Sequence, residues 1–259
     1  MQPLNYIEYL LDGAVAVVTM AKPPHNLLDD DLLQQLKAAY GRAIEEKARA
    51  LILRSSMRHF CAGAELSSFT NGQSTTHADR ARWDALMSCL EDVPIPTVAS
   101  VNGGALGGGL ELALTCDMII AADTAFLGQV EVAVGLIPLL GGTQRLAQRA
   151  GIARAKEIAM FGRRHDPVAL ERWGVLNLVV AESELASATL SWARQLAAGP
   201  TVALRAIKIQ ANEEGRAGVT AADARQIELN DMIWNAEDRK RGFEAFDTTG
   251  PATAVYLGN

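Results

Sequence analysis

Apolar and polar positions alternate along the first 180 residues in a way that predicts strands separated by helices. Two apolar runs, residues 6–11 and 14–20, flank Asp12 and Gly13, a dipeptide that favours a tight turn, so this segment predicts a β-hairpin. The next long segment, which starts with aspartates at positions 29–31, places its apolar residues on one helical face. These residues are Leu32, Leu33, Leu36, Ala39, Tyr40, Ala43 and Ile44.

Short apolar runs typical of buried strands recur four times after the hairpin. They cover residues 49–53, 97–101, 118–121 and 175–180. From about residue 182 onward the pattern is helical, with a break at Gly199 and Pro200. The order predicts an α/β core over residues 1–199, which would hold the functional site, followed by a helical region over residues 200–259.

The composition narrows the class of protein. The chain has 259 residues, of which 49% are apolar and 21% are charged, as is typical of a globular protein. Its net charge is −6 and no block of Lys and Arg stands out, so neither nucleic acid nor a membrane is a predicted partner. Three cysteines at irregular spacing argue against a disulfide framework. A signal-peptide pattern is absent and no apolar segment approaches the roughly 20 residues that span a bilayer, so we expect a cytoplasmic location.

A glycine-rich stretch, SVNGGALGGGLELALTCD at residues 100–117, is the most distinctive feature of the chain. A P-loop would need Gly-Lys-Ser/Thr at its end, whereas Gly109 leads to Leu110 and Glu111. A dinucleotide fingerprint is only nearly matched, and Glu111 would place negative charge near a pyrophosphate. Two interpretations stay open: glycines that permit close packing of a helix on a strand, and a helix N-terminus that stabilises an oxyanion.

Three further motifs accompany this stretch, in a fixed order along the chain. They are FCAGAEL (60–66), FLGQVEVAVGLIP (126–138) and GGTQRL (141–146). With the glycine stretch they resemble the crotonase superfamily, and within it the enoyl-CoA hydratases, over most of the chain. The resemblance implies a crotonase-like spiral of β-β-α units and a helical C-terminal region that assembles homotrimers, often paired into homohexamers. It also implies acyl-CoA substrates, no metal, and no cofactor beyond the coenzyme A carried by the substrate.

The resemblance assigns roles to particular residues of these motifs. By motif position, the backbone N–H groups of Ala64 and Gly108 hold the thioester oxygen, where each donor contributes about 3–4 kcal/mol. Further residues are expected to contact the substrate. These are Ala62, Glu65, Leu66, Ser67 and Leu139.

Two glutamates carry the chemistry that the resemblance implies. Glu111 follows the glycine triplet by two residues, and Glu131 ends the GQVE motif. Adding water across a C=C bond needs a base for the water and an acid for the α-carbon, and neighbouring carboxylates push their pKa values apart as those roles require. Taken singly, each glutamate would ordinarily be a solvated surface residue. Glu111, however, lies in an apolar run with no other charge before Asp117.

Leu139 is the main departure from the hydratase pattern. It follows Pro138 where the family usually has glycine, so it adds a bulky side chain but keeps the backbone N–H.

The nearest alternative to hydration is double-bond isomerisation or ring chemistry on an acyl-CoA; the presence of both glutamates favours hydration. RNA binding is disfavoured by the acidic charge, and an inactive structural subunit is disfavoured by the intact acids.

Overall fold

The computed structural model describes residues 4–65, 77–250 and 253–259. Leu66 and Ser67, two of the predicted substrate-binding residues, lie outside the described residues. Six strands form one sheet and two form a short second sheet in this part of the chain. The strands are β1 (Ile7–Asp12), β2 (Val15–Met20), β3 (Ala50–Ser55), β4 (Thr97–Val101), β5 (Gly104–Leu106), β6 (Met118–Ala122), β7 (Phe126–Gly128) and β8 (Leu178–Val180).

Helices follow most of these strands and make up nearly all of the C-terminal region. The α-helices are α1 (Asp30–Glu45), α2 (His77–Glu91), α3 (Gly108–Ala113), α4 (Gly142–Ala150), α5 (Ile152–Phe161), α6 (Pro167–Arg172), α7 (Leu185–Ala198), α8 (Thr201–Ala217), α9 (Val219–Ala224), α10 (Gln226–Trp234) and α11 (Glu237–Thr249). Two short 3-10 helices cover Glu131–Val134 and Glu182–Glu184. The predicted α/β class, with helices after residue 182, is confirmed.

The main sheet has the strand order β1-β2-β3-β4-β6-β8. β1 and β2 pair antiparallel around Gly13, whose φ is +61°, so the predicted hairpin is confirmed. The remaining neighbours pair in parallel. Helix α7 packs on one face against β2 and β3, and the main apolar core covers the other. Burial on both faces explains why these strands are apolar at successive positions.

Helix α1 begins where the aspartate cluster predicts. Asp29 is the N-cap, because its Oδ1 accepts a hydrogen bond of 2.9 Å from the Leu32 N–H. The predicted apolar face is buried except at Ile44, which lies in the last turn and is 37% exposed.

Two successive units of the fold each place a short strand beside the main sheet. The first unit is β4, β5 and α3, and the second is β6, β7 and the 3-10 helix Glu131–Val134. β5 and β7 pair in parallel with each other and form the second sheet. These three-residue strands were not predicted, because they are too short and too rich in glycine for an apolar pattern to mark them.

Polar contacts join the C-terminal region to the core. Lys208 on α8 is 8% exposed, and its Nζ donates to Asp117 Oδ2 at 2.9 Å. Arg49 donates to the carbonyl groups of Gly199 and Tyr256.

The division of the chain at residue 199 stays a prediction. In the described part of the chain, no helix is long and apolar enough to cross a membrane.

The C-terminal helices leave large apolar side chains in contact with solvent, which predicts self-association. Ile227 is 77% exposed, Trp234 51%, Phe243 57% and Phe246 63%. Because a stable monomer rarely exposes so much apolar surface in one region, we expect sedimentation velocity to show a trimer or hexamer at micromolar concentration. The double substitution of Phe243 and Phe246 by serine should shift the distribution toward smaller species. A wild-type chain that sediments as a monomer throughout a dilution series would contradict this prediction.

Candidate active site

Three segments of backbone converge beside the N-terminus of α3. The Leu28 N–H donates to the Gly63 carbonyl at 2.9 Å, and the Glu65 N–H donates back to the Leu28 carbonyl at 2.8 Å. The Leu106 N–H donates to the Cys61 carbonyl at 3.1 Å. These bonds lock residues 61–65 between the segment before α1 and strand β5.

Ala64 and Gly108, the predicted oxyanion donors, lie next to each other in this arrangement. A Cβ placed on Gly108 would lie 3.4 Å from the Ala64 nitrogen. Among the described residues, no acceptor is hydrogen-bonded to the N–H of Ala64 or of Gly108. Two neighbouring N–H donors without an internal partner are available to hydrogen-bond an oxygen atom of a ligand. Gly108 is also the first residue of helix α3, where the helix dipole favours negative charge.

The glycine triplet serves both interpretations that the sequence left open. Gly107 has φ of +52°, a conformation that favours glycine. A Cβ on Gly109 would lie 2.1 Å from the Cys61 carbonyl oxygen, so only glycine allows α3 to approach this closely. Close packing and a pair of donors without an internal partner are therefore parts of one arrangement.

The other predicted substrate-binding residues of this motif that the structure describes lie beside the donors. The Ala62 N–H donates to the His25 carbonyl at 3.1 Å, and Ala62 and Glu65 are both half-buried. Their contact with a substrate stays a prediction.

Glu111 is a buried carboxylate, 2% exposed, on helix α3. Its Oε1 accepts hydrogen bonds from the backbone N–H of Leu140 at 2.7 Å and of Gly142 at 2.8 Å. Burial raises the pKa of Glu111 from 4.5 to about 7, and the negative charge of Glu131 contributes to the rise. The backbone donors act in the opposite direction, and together these effects leave a carboxyl group that gains and loses a proton near neutral pH.

Glu131 lies at the start of a 3-10 helix and is half-buried. A Cβ on Gly107 would lie 3.2 Å from Glu131 Oε1, so Glu131 occupies the space beside the glycine triplet. Burial raises the pKa of Glu131. Its charge acts on Glu111, so the fold brings into one electrostatic environment two acids that are 20 positions apart in the sequence.

Gln129 is a part of the site that the sequence interpretation did not assign, although it belongs to the GQVE motif. Its side chain is fully buried. With its amide nitrogen facing Glu131, Gln129 donates to both carboxylate oxygens, at 2.9 Å to Oε1 and 3.1 Å to Oε2. Buried polar groups are normally hydrogen-bonded, and a glutamine two residues before Glu131 in the GQVE motif was the available signal.

Leu139, the departure from the hydratase pattern, is half-buried. Its neighbour Leu140 is buried and supplies one of the two N–H donors to Glu111. Leu139 therefore lies in the loop that holds the acid, and its role in acyl preference stays a prediction.

A sequence model of the enoyl-CoA hydratase/isomerase family matches residues 11–253. The chain belongs to the enoyl-CoA hydratase/isomerase family. It is 33% identical over 242 residues to enoyl-CoA hydratase domain-containing protein 2, mitochondrial, of Mus musculus, covering 90% of this chain and 81% of that one. The enoyl-CoA hydratase of Bacillus anthracis has a similar structure, with a TM-score of 0.89, 28% identity and coverage of 98% and 100% of the two chains. DspI of Pseudomonas aeruginosa is also similar, with a TM-score of 0.88, 30% identity and coverage of 95% and 96%.

Membership of the enoyl-CoA hydratase/isomerase family confirms three predictions made from the motifs. The fold is the crotonase fold, the protein is an enzyme, and its activity is hydratase-like.

The pH dependence of stability provides a test of the buried state of Glu111. Because the pKa of Glu111 in the folded state lies above 4.5, folding favours its protonated carboxyl group. The stability that this preference contributes is fully present below about pH 4.5 and is lost as pH rises through about 7. Glu111→Gln cannot ionise, so it should gain stability relative to wild type between about pH 5 and about pH 8, by about 2–3 kcal/mol at most. Urea unfolding at both pH values measures the difference.

Glu228→Gln is the control for this comparison, because Glu228 is an exposed carboxylate whose side chain is 70% accessible. Its stability relative to wild type should stay within about 0.5 kcal/mol across the same range. If the difference between Glu111→Gln and wild type were also independent of pH, the raised pKa of Glu111 would be wrong.

Proposed function

We propose that this enzyme adds water reversibly across the C2=C3 bond of a 2-enoyl-CoA thioester. The observation that supports this most directly is the placement of Glu111 and Glu131 beside two backbone donors, Ala64 and Gly108, that have no partner among the described residues. An acid, a base and a pair of preorganised N–H groups are the three components that hydration of an activated double bond requires.

Each component has a defined role in the proposed reaction. Glu111 removes a proton from water as the water oxygen bonds to C3, and the electrons of the double bond move toward the thioester. Negative charge develops on the carbonyl oxygen, which accepts hydrogen bonds from the Ala64 and Gly108 N–H groups. Glu131 then gives a proton to C2, and the carbonyl double bond re-forms. One proton enters Glu111 and one leaves Glu131, so exchange with solvent restores both groups.

Electrostatics suit this division of roles. A base with a pKa of about 7 is half ionised at neutral pH and still accepts a proton readily. With its amide nitrogen facing Glu131, Gln129 donates to both carboxylate oxygens and so orients that side chain. The proposal includes no metal and no organic cofactor, and coenzyme A takes part only as the carrier of the acyl group.

Isomerisation of the double bond is the alternative, because the same groups can move a proton between carbons without adding water. The pair of acids around one position favours hydration, since isomerisation needs only one of them. Incubation of a 2-enoyl-CoA in ¹⁸O-labelled water with product analysis separates the two: hydration gives a 3-hydroxyacyl-CoA that carries the label. We propose assembly as a homotrimer or homohexamer and a cytoplasmic location as accompanying features.

Substitution of either acid tests the mechanism. We expect Glu111→Gln and Glu131→Gln each to lower kcat by roughly 10²-fold or more, because each removes a group that transfers a proton in the transition state. Binding of a saturated acyl-CoA, measured by calorimetry, should change little. A variant that keeps wild-type kcat would remove that glutamate from the mechanism.

Leu139→Gly tests acyl preference. If the leucine side chain narrows the acyl pocket, its removal should shift the ranking of kcat/KM across a chain-length series, since one methylene is worth about 1–3 kcal/mol of discrimination. Hydration of a short enoyl-CoA should persist. Leu136→Gly is a matched control, because it removes a leucine side chain three residues away on the same segment. An unchanged ranking in a destabilised Leu139→Gly would mean that Leu139 only packs.

A further inference from the structure

Among the residues that the structure describes, a loop rather than another side chain orients the proposed base. Glu111 Oε1 receives its two hydrogen bonds from the backbone of Leu140 and Gly142, which are 29 and 31 positions away in the sequence. The conformation of residues 139–142 therefore decides where the carboxylate points and how many donors it has.

Arg145 holds this loop in place. Its Nη1 donates to the Leu140 carbonyl at 2.8 Å, so the residue that donates to Glu111 through its N–H is held through its C=O. Gly141 has φ of +90°, and a Cβ there would lie 2.2 Å from Arg145 Nη1. Glycine at this position thus lets the guanidinium lie directly against the loop.

Glu91, on helix α2, fixes the other side of the guanidinium. Its Oε1 accepts from Arg145 Nε and its Oε2 from Arg145 Nη2, both at 2.9 Å, and the two side chains are only 13% and 17% exposed. Arg216, on helix α8, donates to the same Oε2 at 2.9 Å. Burial by itself would raise the pKa of Glu91, but the bonds to the two arginines outweigh it and lower the pKa. Glu91 is therefore ionised at neutral pH.

We propose that the Arg145–Glu91 pair positions Glu111 for catalysis by holding the Leu140–Gly142 loop through the Leu140 carbonyl. This inference rests on the proposed function of Glu111 and adds two positioning residues to it. Neither side chain needs to touch the substrate.

The geometry requires arginine in particular. Three nitrogens of one planar group reach three separate oxygens, two on Glu91 and one on Leu140. Lysine carries the same charge at a single nitrogen and cannot hold Glu91 in a bidentate pair while it also holds the loop. Arg145→Lys therefore separates the contribution of charge from that of geometry.

Arg145→Met, Arg145→Lys and Glu91→Gln are the variants that test this role. We expect Arg145→Met to lower kcat about 10- to 100-fold for a short enoyl-CoA with little change in KM, because a displacement of about 1 Å at a reacting group costs up to about 10²-fold. The acid limb of its kcat–pH profile should move to higher pH, since both the positive charge and the fixed donors that favour ionised Glu111 are weakened. Arg145→Lys and Glu91→Gln should also lower kcat, and Arg145→Lys should move the limb less than Arg145→Met.

Arg149→Met is the matched control. Arg149 lies one turn further along helix α4 and donates to the carbonyl groups of Cys116 and Val175, not to the loop. Loss of the Arg149 side chain should lower the melting temperature and leave the acid limb of the kcat–pH profile at the same pH as in the wild type. Arg145 and Glu91 also line a cavity of about 690 Å³ between the core and α8, where water can replace a lost side chain, so their variants are expected to fold.

A double-mutant cycle with Glu111→Gln separates failure of this proposal from failure of the proposed function. If Glu111 acts as base and Arg145 positions it, Arg145→Met should lower kcat in the wild-type background and much less in the Glu111→Gln background. If Glu111→Gln alone keeps wild-type activity, the proposed function is wrong. If Glu111→Gln is impaired but folded Arg145→Met and Arg145→Lys keep the wild-type kcat and pH profile, the positioning role is overturned.

Discussion

Burial of one carboxylate in an apolar interior is the constraint on which the arrangement of this site depends. Glu111 lies between two buried leucines, and an ionised group in such surroundings is strongly disfavoured unless it is hydrogen-bonded. Its direct partners in the described structure are two backbone N–H groups rather than a cation. A directly bound cation would hold the carboxylate ionised, whereas neutral donors leave its pKa at about 7. The two backbone hydrogen bonds thus lower the free-energy cost of burying Glu111 and leave its carboxyl group able to exchange a proton near neutral pH.

Close approach of backbones is the second constraint. Helix α3 reaches the Cys61 carbonyl only because Gly109 has no side chain, and the same approach brings the N–H groups of Ala64 and Gly108 together. Donors that stabilise a developing negative charge are effective when they do not have to reorganise. Both donors belong to segments held by hydrogen bonds on either side, so the rigidity of the surrounding backbone is part of the chemistry.

Neighbouring and more distant residues both support these groups. Gln129 holds Glu131 directly, whereas Glu111 depends on a loop that Arg145 and Glu91 hold. Arg216 extends this network to helix α8, and Lys208 and Arg49 make further polar contacts between the core and the C-terminal region. The helices after residue 200 are therefore physically connected to the loop that orients the proposed base.

The sequence by itself determined the hairpin, helix α1, the alternation of strands and helices and the family, and it predicted both acids. Apolar periodicity and capping are local: burial of one face of a helix or both faces of a strand imposes a pattern that neighbouring residues display. Only the tertiary structure decided that Glu111 and Glu131 share one environment, that β5 and β7 pair, and that Arg145 meets Glu91. Those contacts join residues that are far apart in the sequence: Glu111 and Glu131 are separated by 20 positions, and Glu91 and Arg145 by 54 positions. No local period encodes such a contact, because it exists only when the packing of other elements brings the two segments together.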